Sequence, residues 1–305
     1  MTSAMLPPAP SGGPVDDTSI DDKELLAAKT SGGGFWRDVF RRMRRNPSAW
    51  VGAAIIAVLV LVAVFAPWLA PYGPTELPGQ RYITPTHIPG PGEIPEFPLG
   101  LDRFGGDVLS KLIWGARATL IIGVVSTAIG LIGGMILGFL CGMFGGWVDT
   151  LIMRIVDILL SVPSLLLAVS VAAILGQTQA SLMIAIGVAQ VPIFARLLGA
   201  ALVQQRNAPY ELSAQTLGLG RGKITMSHVL PNAVGPVIVQ ATLSLATAVI
   251  EAAALSYLGL GGDVPQTAEW GRMLTYAQLE LAVAPWLAFL PGICITVTAL
   301  GFTLF

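Results

Sequence analysis

The sequence predicts an all-α membrane protein with about six transmembrane helices. Three observations carry that prediction. Hydrophobic residues make up 54% of the 305-residue chain and charged residues only 11%, against about 25% charged in an ordinary soluble domain. Mean hydropathy is +0.73. The apolar residues also gather into six runs, each near the ~20 residues that cross the hydrocarbon of a bilayer. Seventeen basic against 18 acidic residues leave a net charge of −1, which excludes a polybasic surface for nucleic acid. Cys141 and Cys294 both lie inside apolar runs, which excludes a disulfide framework and a cysteine-built zinc site.

Residues 1–34 are rich in Pro, Gly, Ser and Asp. They carry too little apolar surface for a core and read as a disordered tail. Residues 35–48 come next as a basic amphipathic segment, FWRDVFRRMRR at its start, with Trp36 and Phe40 placed to dip into headgroups. The transmembrane domain occupies 49–305. Its spans fall at about 49–70, 117–143, 151–175, 181–202, 233–256 and 286–305. Pro67 and Pro71 end the first. A Pro/Gly-rich loop, 71–116, separates spans one and two, and a polar segment, 203–232, separates spans four and five. Pro163 and Pro192 fall inside spans three and four, and each is expected to kink its helix.

Orientation is set by the basic residues. With a cytoplasmic N-terminus, 12 of the 17 lie on the inner side and five on the outer. Both termini and the 203–232 segment then face the cytoplasm, and 71–116 lies outside.

Gly130, Gly134, Gly138 and Gly142 recur every four residues, so they form one slightly drifting stripe that lets another helix approach closely. Arg154 and Asp157, three apart, are expected to pair locally. Glu251 stands alone in span five and must face protein or water rather than lipid. Pathway lining, capping of a neighbouring loop and a protonated hydrogen-bond donor are all open for it. Catalytic and metal motifs are absent. His87 and His228 lie in loops on opposite sides under this topology. Gly218-Leu-Gly-Arg-Gly-Lys-Ile is not a P-loop: Leu217 replaces its first Gly and Ile224 the magnesium-binding Ser/Thr. No cofactor is expected on this chain.

The segment Tyr210-Glu-Leu-Ser-Ala-Gln-Thr-Leu-Gly, ending at Leu230-Pro231, resembles the EAA loop of binding-protein-dependent ABC importer permeases. Ala214, Gly218, Leu230 and Pro231 sit at the matching positions. Ser213 stands for the first Ala. Leu212 takes the Glu position, with Glu211 one residue earlier. Pro98-Leu-Gly-Leu-Asp-Arg-Phe-Gly-Gly-Asp-Val-Leu-Ser-Lys, Met153-Arg-Ile-Val-Asp-Ile-Leu-Leu-Ser-Val-Pro-Ser and Glu251 through Leu255-Ser-Tyr-Leu-Gly-Leu-Gly are similar to stretches of dipeptide and oligopeptide permeases. Arg-Arg-Asn-Pro before span one is typical of their C-type subunit.

The resemblance implies a type I ABC importer permease fold in a bacterial inner membrane, with cytoplasmic termini. It implies a second homologous permease, two cytoplasmic ATPases that carry ATP and Mg, and an extracytoplasmic substrate-binding protein. The coupling loop would run from Tyr210, Glu211, Leu212, Ser213 and Ala214 through Gly218 to a second helical piece ending at Leu230 and Pro231. Peptides are the implied cargo. Nickel, haem or glutathione are alternatives within the same architecture. A rival class is a secondary transporter driven by an ion gradient, with Glu251 or Asp157 as proton carrier.

Overall fold

The computed structural model describes residues 46–84, 86–205, 220–262 and 268–305, and the side chains of Arg221 and His228 are outside it. The tail and most of the amphipathic segment therefore lie outside the described residues. Helix α1, Pro47–Leu69, is apolar all round and ends where Pro71, Gly73 and Pro74 forbid another turn. Its first turns touch the end of the chain closely: a β-carbon on Gly52 would lie 2.6 Å from the backbone N of Phe305.

Residues 70–107 form a small folded cap rather than an open loop. Phe97 and Leu101 are fully buried in it. Asp102 Oδ1 accepts from the backbone N–H groups of Phe104 (2.9 Å) and Gly106 (2.8 Å), while its Oδ2 pairs with the buried Lys111 ammonium. Asp107 then caps α2, Val108–Phe144, by accepting from Ser110 N (2.9 Å) and Ser110 Oγ (2.6 Å). The helix thus starts before position 117, where hydropathy places the span. Its first two turns hold Lys111 and Trp114, which a hydropathy scan scores as loop. At 37 residues it is about 55 Å long and projects well beyond the ~30 Å of hydrocarbon. Trp114 Nε1 and Tyr72 N weld the cap to it, donating to Tyr72 O and Ser110 Oγ, each at 3.1 Å.

Gly145, in the left-handed region at φ +61°, ends α2 and turns the chain into α3, Gly146–Leu160. The expected third span is not one helix. It breaks after Leu160 and resumes as α4, Ser164–Leu175, with a bend of 94° between the two. Ser161 N–H is shared between Asp157 O and Ile158 O, Val162 N–H reaches Leu159 O, and Pro163 has no N–H to continue the ladder. Pro163 by itself predicts a kink, and the structure has a full break. Helix α5, Gln179–Gln205, stays continuous through Pro192.

The helix that begins as α6, Arg221–Ile224, passes through a π turn, Thr225–Val229, and runs on as α7, Leu230–Tyr257. The second helical piece therefore does not end at Pro231, where the sequence predicts its end. Leu230 N–H bonds Thr225 O, five residues back. The widened turn gives the proline ring room where a regular α turn would press it against a carbonyl. Helix α8, Trp270–Ala277, and α9, Trp286–Leu304, complete the chain.

Residues Ser48–Phe305 form one compact unit. Helices α2 and α5 make the most extensive pair, α7 packs on both, α4 packs on α5, and α9 packs on α7 and α8. Ile122, Leu182, Ile186 and Leu255 centre one buried cluster; Phe194, Leu198, Leu202 and Val237 centre another. Among the described residues five helices are long and apolar enough to cross a membrane, or six spans if α3 and α4 count as one.

Candidate coupling and pathway elements

The start of the EAA-like segment, Tyr210, Glu211, Leu212, Ser213, Ala214 and Gly218, lies outside the described residues. Its second part is described. Ile224 and Val229 are buried against Phe194, Leu198 and Leu202 of α5, and Leu230 packs beside them. Pro231 is exposed. This second part is therefore anchored on α5 and continuous with α7, one rod from Arg221 to Tyr257.

The four stripe glycines face α5 of the same chain. A β-carbon on Gly130 would lie 2.7 Å from Gln190 Cβ, on Gly134 2.3 Å from Phe194 Cβ, on Gly138 2.9 Å from Ala195 O, and on Gly142 2.3 Å from Leu202 Cδ1. Two backbones meet here at a distance that only glycine permits along the contact. Gln190, buried between α2 and α7, donates from Nε2 to Ser244 O at 3.4 Å.

Asp157 does not pair with Arg154. Its carboxylate meets Arg196 of α5, across the bundle. The two stand on different helices, far apart in sequence, so no local spacing could announce them. The pair is about half exposed on each side, the regime where ion pairs add little stability.

Glu251 meets the broken span. Its Oε1 accepts from Ser164 Oγ at 2.7 Å, and Ser164 is the first residue of α4, directly after the break. Its Oε2 is buried with no hydrogen-bond partner.

Two further polar constellations have no signal in the sequence pattern. One is the Asp102–Lys111 pair, joined across a turn, which no helical or strand period marks. The other caps α8. Glu269 is buried and accepts from Gly271 N (3.0 Å) and Arg272 N (3.1 Å), while the buried Arg272 guanidinium bonds Gly261 O. Burial pushes the Glu269 carboxyl above its ordinary 4.5, against the opposing pull of its hydrogen-bond donors and Arg272. Trp270 Nε1 donates to Leu112 O at 3.0 Å and ties α8 to α2. Among the described residues no three His, Cys, Asp or Glu side chains gather as a metal site.

A polytopic helical bundle of five to six spans, one of them broken, defines an integral membrane protein. The chain belongs to the family of binding-protein-dependent transport system inner membrane components, whose model matches residues 134–305. Residues 34–86 match the N-terminal transmembrane domain of oligopeptide transport permease C. The chain is 40% identical over 271 residues to the dipeptide transport system permease protein DppC of Alkalihalophilus pseudofirmus, covering 88% of this chain and 86% of that one. It is 41% identical over 268 residues to the di/tripeptide transport system permease protein DppC of Pseudomonas aeruginosa, covering 88% of each. The glutathione transport system permease protein GsiD of Escherichia coli O157:H7 is 36% identical over 269 residues, 88% of this chain and 86% of that one. Among solved structures, inward-facing forms of the MetNI methionine ABC transporter align with a TM-score of 0.50 at 20% identity, over 64% of this chain and 92% of that one. That likeness supports the fold. The protein is a multi-pass permease component of the bacterial plasma membrane.

Proposed function

We propose that this chain forms half of the translocation pathway of an ATP-driven importer of di- and oligopeptides. Its 40% identity to a dipeptide permease across nearly the whole chain carries this reading. A second homologous permease supplies the other half, two cytoplasmic ATPases bind ATP and Mg, and an extracytoplasmic binding protein delivers the peptide. The segment from Tyr210 through Gly218 seats in the ATPases, with Ser213 and Ala214 small enough to enter a cleft. Arg221–Tyr257 passes that motion into the bundle as one rod. ATP binding and hydrolysis then bias the complex between inward- and outward-facing states, which is alternating access driven by nucleotide on other chains.

The test is uptake of labelled dialanine by the complete complex in proteoliposomes, with ATP supplied on the side of the ATPases or withheld. ATP-dependent uptake, competed by di- and tripeptides and not by nickel or haem, is the expected result. Uptake driven by a proton or sodium gradient without ATP would overturn the reading. Competition by glutathione alone would move the cargo within the peptide class.

A further inference from the structure

We infer that the Glu251–Ser164 hydrogen bond is a mechanical tie, with Glu251 as the positioning residue that joins the coupling rod to the hinge in the broken span. The inference rests on the coupling role proposed above and names the place where that motion enters the pathway.

Four observations carry it. The helix from Arg221 to Tyr257 runs on without a break through its π turn, with Pro231 and Pro236 each leaving out one backbone donor, so displacement at one end is passed along it toward Glu251. Glu251 bonds Ser164 at 2.7 Å across 87 positions of sequence. Ser164 opens α4 immediately after a 94° break. At that break Pro163 interrupts the ladder, and the tight bonds of Ser161 and Val162 close the turn. The joint is thus a point where a long helix grips the first residue after a break, at the start of a segment that packs on α5. Glu251 Oε2, buried and unpartnered, leaves the tie half made. A carboxyl group with an unpartnered oxygen beside a helix start, whose first N–H groups lack intrahelical acceptors, can exchange one partner for another as the hinge angle changes. A carboxyl inside a span is costly enough that it marks function more often than packing. Packing alone would be served by Gln or Ser.

The readout is peptide transported per ATP hydrolysed, measured on the intact reconstituted complex after matching protein amounts by size-exclusion chromatography. Ser164→Ala, the mild change, should lower that ratio at least tenfold, and Glu251→Ala likewise. The double variant should lose no more than either single, because both remove one bond. Glu251→Gln keeps an oxygen to accept from Ser164 but loses the spare acceptor, and its ratio should fall between those of the wild type and Glu251→Ala. A purely structural role would reduce transport and hydrolysis together and leave the ratio at its wild-type value, which overturns the inference. So would losses that multiply in the double variant. If the wild-type complex shows no ATP-dependent uptake at all, it is the importer reading that fails.

Discussion

Gly134→Ala should destabilise this protein, although alanine is the better helix former. Gly134 sits in the middle of α2, and a methyl there would lie 2.3 Å from Phe194 Cβ, 2.7 Å from Val191 O and 2.9 Å from Ala195 N. These are backbone or backbone-proximal atoms, so no side chain can swing away. Carbon atoms rest about 3.5–4.0 Å apart, and α2 and α5 must therefore part locally by roughly 1 Å. Overpacking of this kind costs about 1–3 kcal/mol. Removing a helix-interior glycine returns up to about 1 kcal/mol. The net expectation is a loss of about 1–2 kcal/mol. Gly123→Ala is the control on the same helix. Its β-carbon would meet Val249 Cγ2 at 3.4 Å, an ordinary contact, so the propensity gain stands and the variant should be neutral or slightly more stable. The assay is the apparent melting midpoint of the purified complex in one detergent, followed by size-exclusion chromatography. Gly134→Ala should lower the midpoint and Gly123→Ala should hold or raise it. A drop in both, or a neutral Gly134→Ala, would refute the close backbone contact on which the reasoning rests.

Lys111→Met should cost about 3 kcal/mol, because it strips the counter-charge from a largely buried Asp102; Lys111→Met with Asp102→Asn should recover part of it, read by the same melting assay. Glu269 gives a pH signature. Its carboxyl is raised above 4.5 in the folded protein, so between that value and the raised one the unfolded chain has lost a proton that the folded chain keeps. Stability therefore falls as pH rises through this window, and Glu269→Gln should flatten the fall relative to wild type. Single cysteines at Thr86 and Gln205, in a background without Cys141 and Cys294, should react with an impermeant maleimide from opposite faces of the membrane, as the basic-residue asymmetry requires.

Spans one, four, five and six were legible because long apolar runs leave few alternatives to a helix. Span two was legible only in its apolar part. Its first turns are held by Asp107, Asp102 and a buried Lys111, and a buried ion pair looks like loop to any hydropathy scale. The break in span three was half legible: Pro163 announced a disturbance, but its size depends on Ser161 and Val162 closing a tight turn. The continuity through Pro231 was hidden for the opposite reason. A proline reads as an end, and here a widened turn absorbs it. Arg196 could not be assigned to Asp157 because the pairing belongs to the packing of α3 on α5. Glu251 was visible as an anomaly, and its neighbour Ser164 only after folding.

The π turn at Thr225–Val229 also sets an aim. A helix is a screw that advances about 100° per residue, and a wide turn adds one residue to the thread. Arg221–Ile224 is thus turned about 100° away from where a regular helix would have pointed it. The direction in which Arg221–Ile224 leaves α7 is set by that single extra residue. Deleting one residue from the turn would leave the composition almost untouched and both flanking helices intact. It would also turn Arg221–Ile224 toward a different quarter of their surroundings.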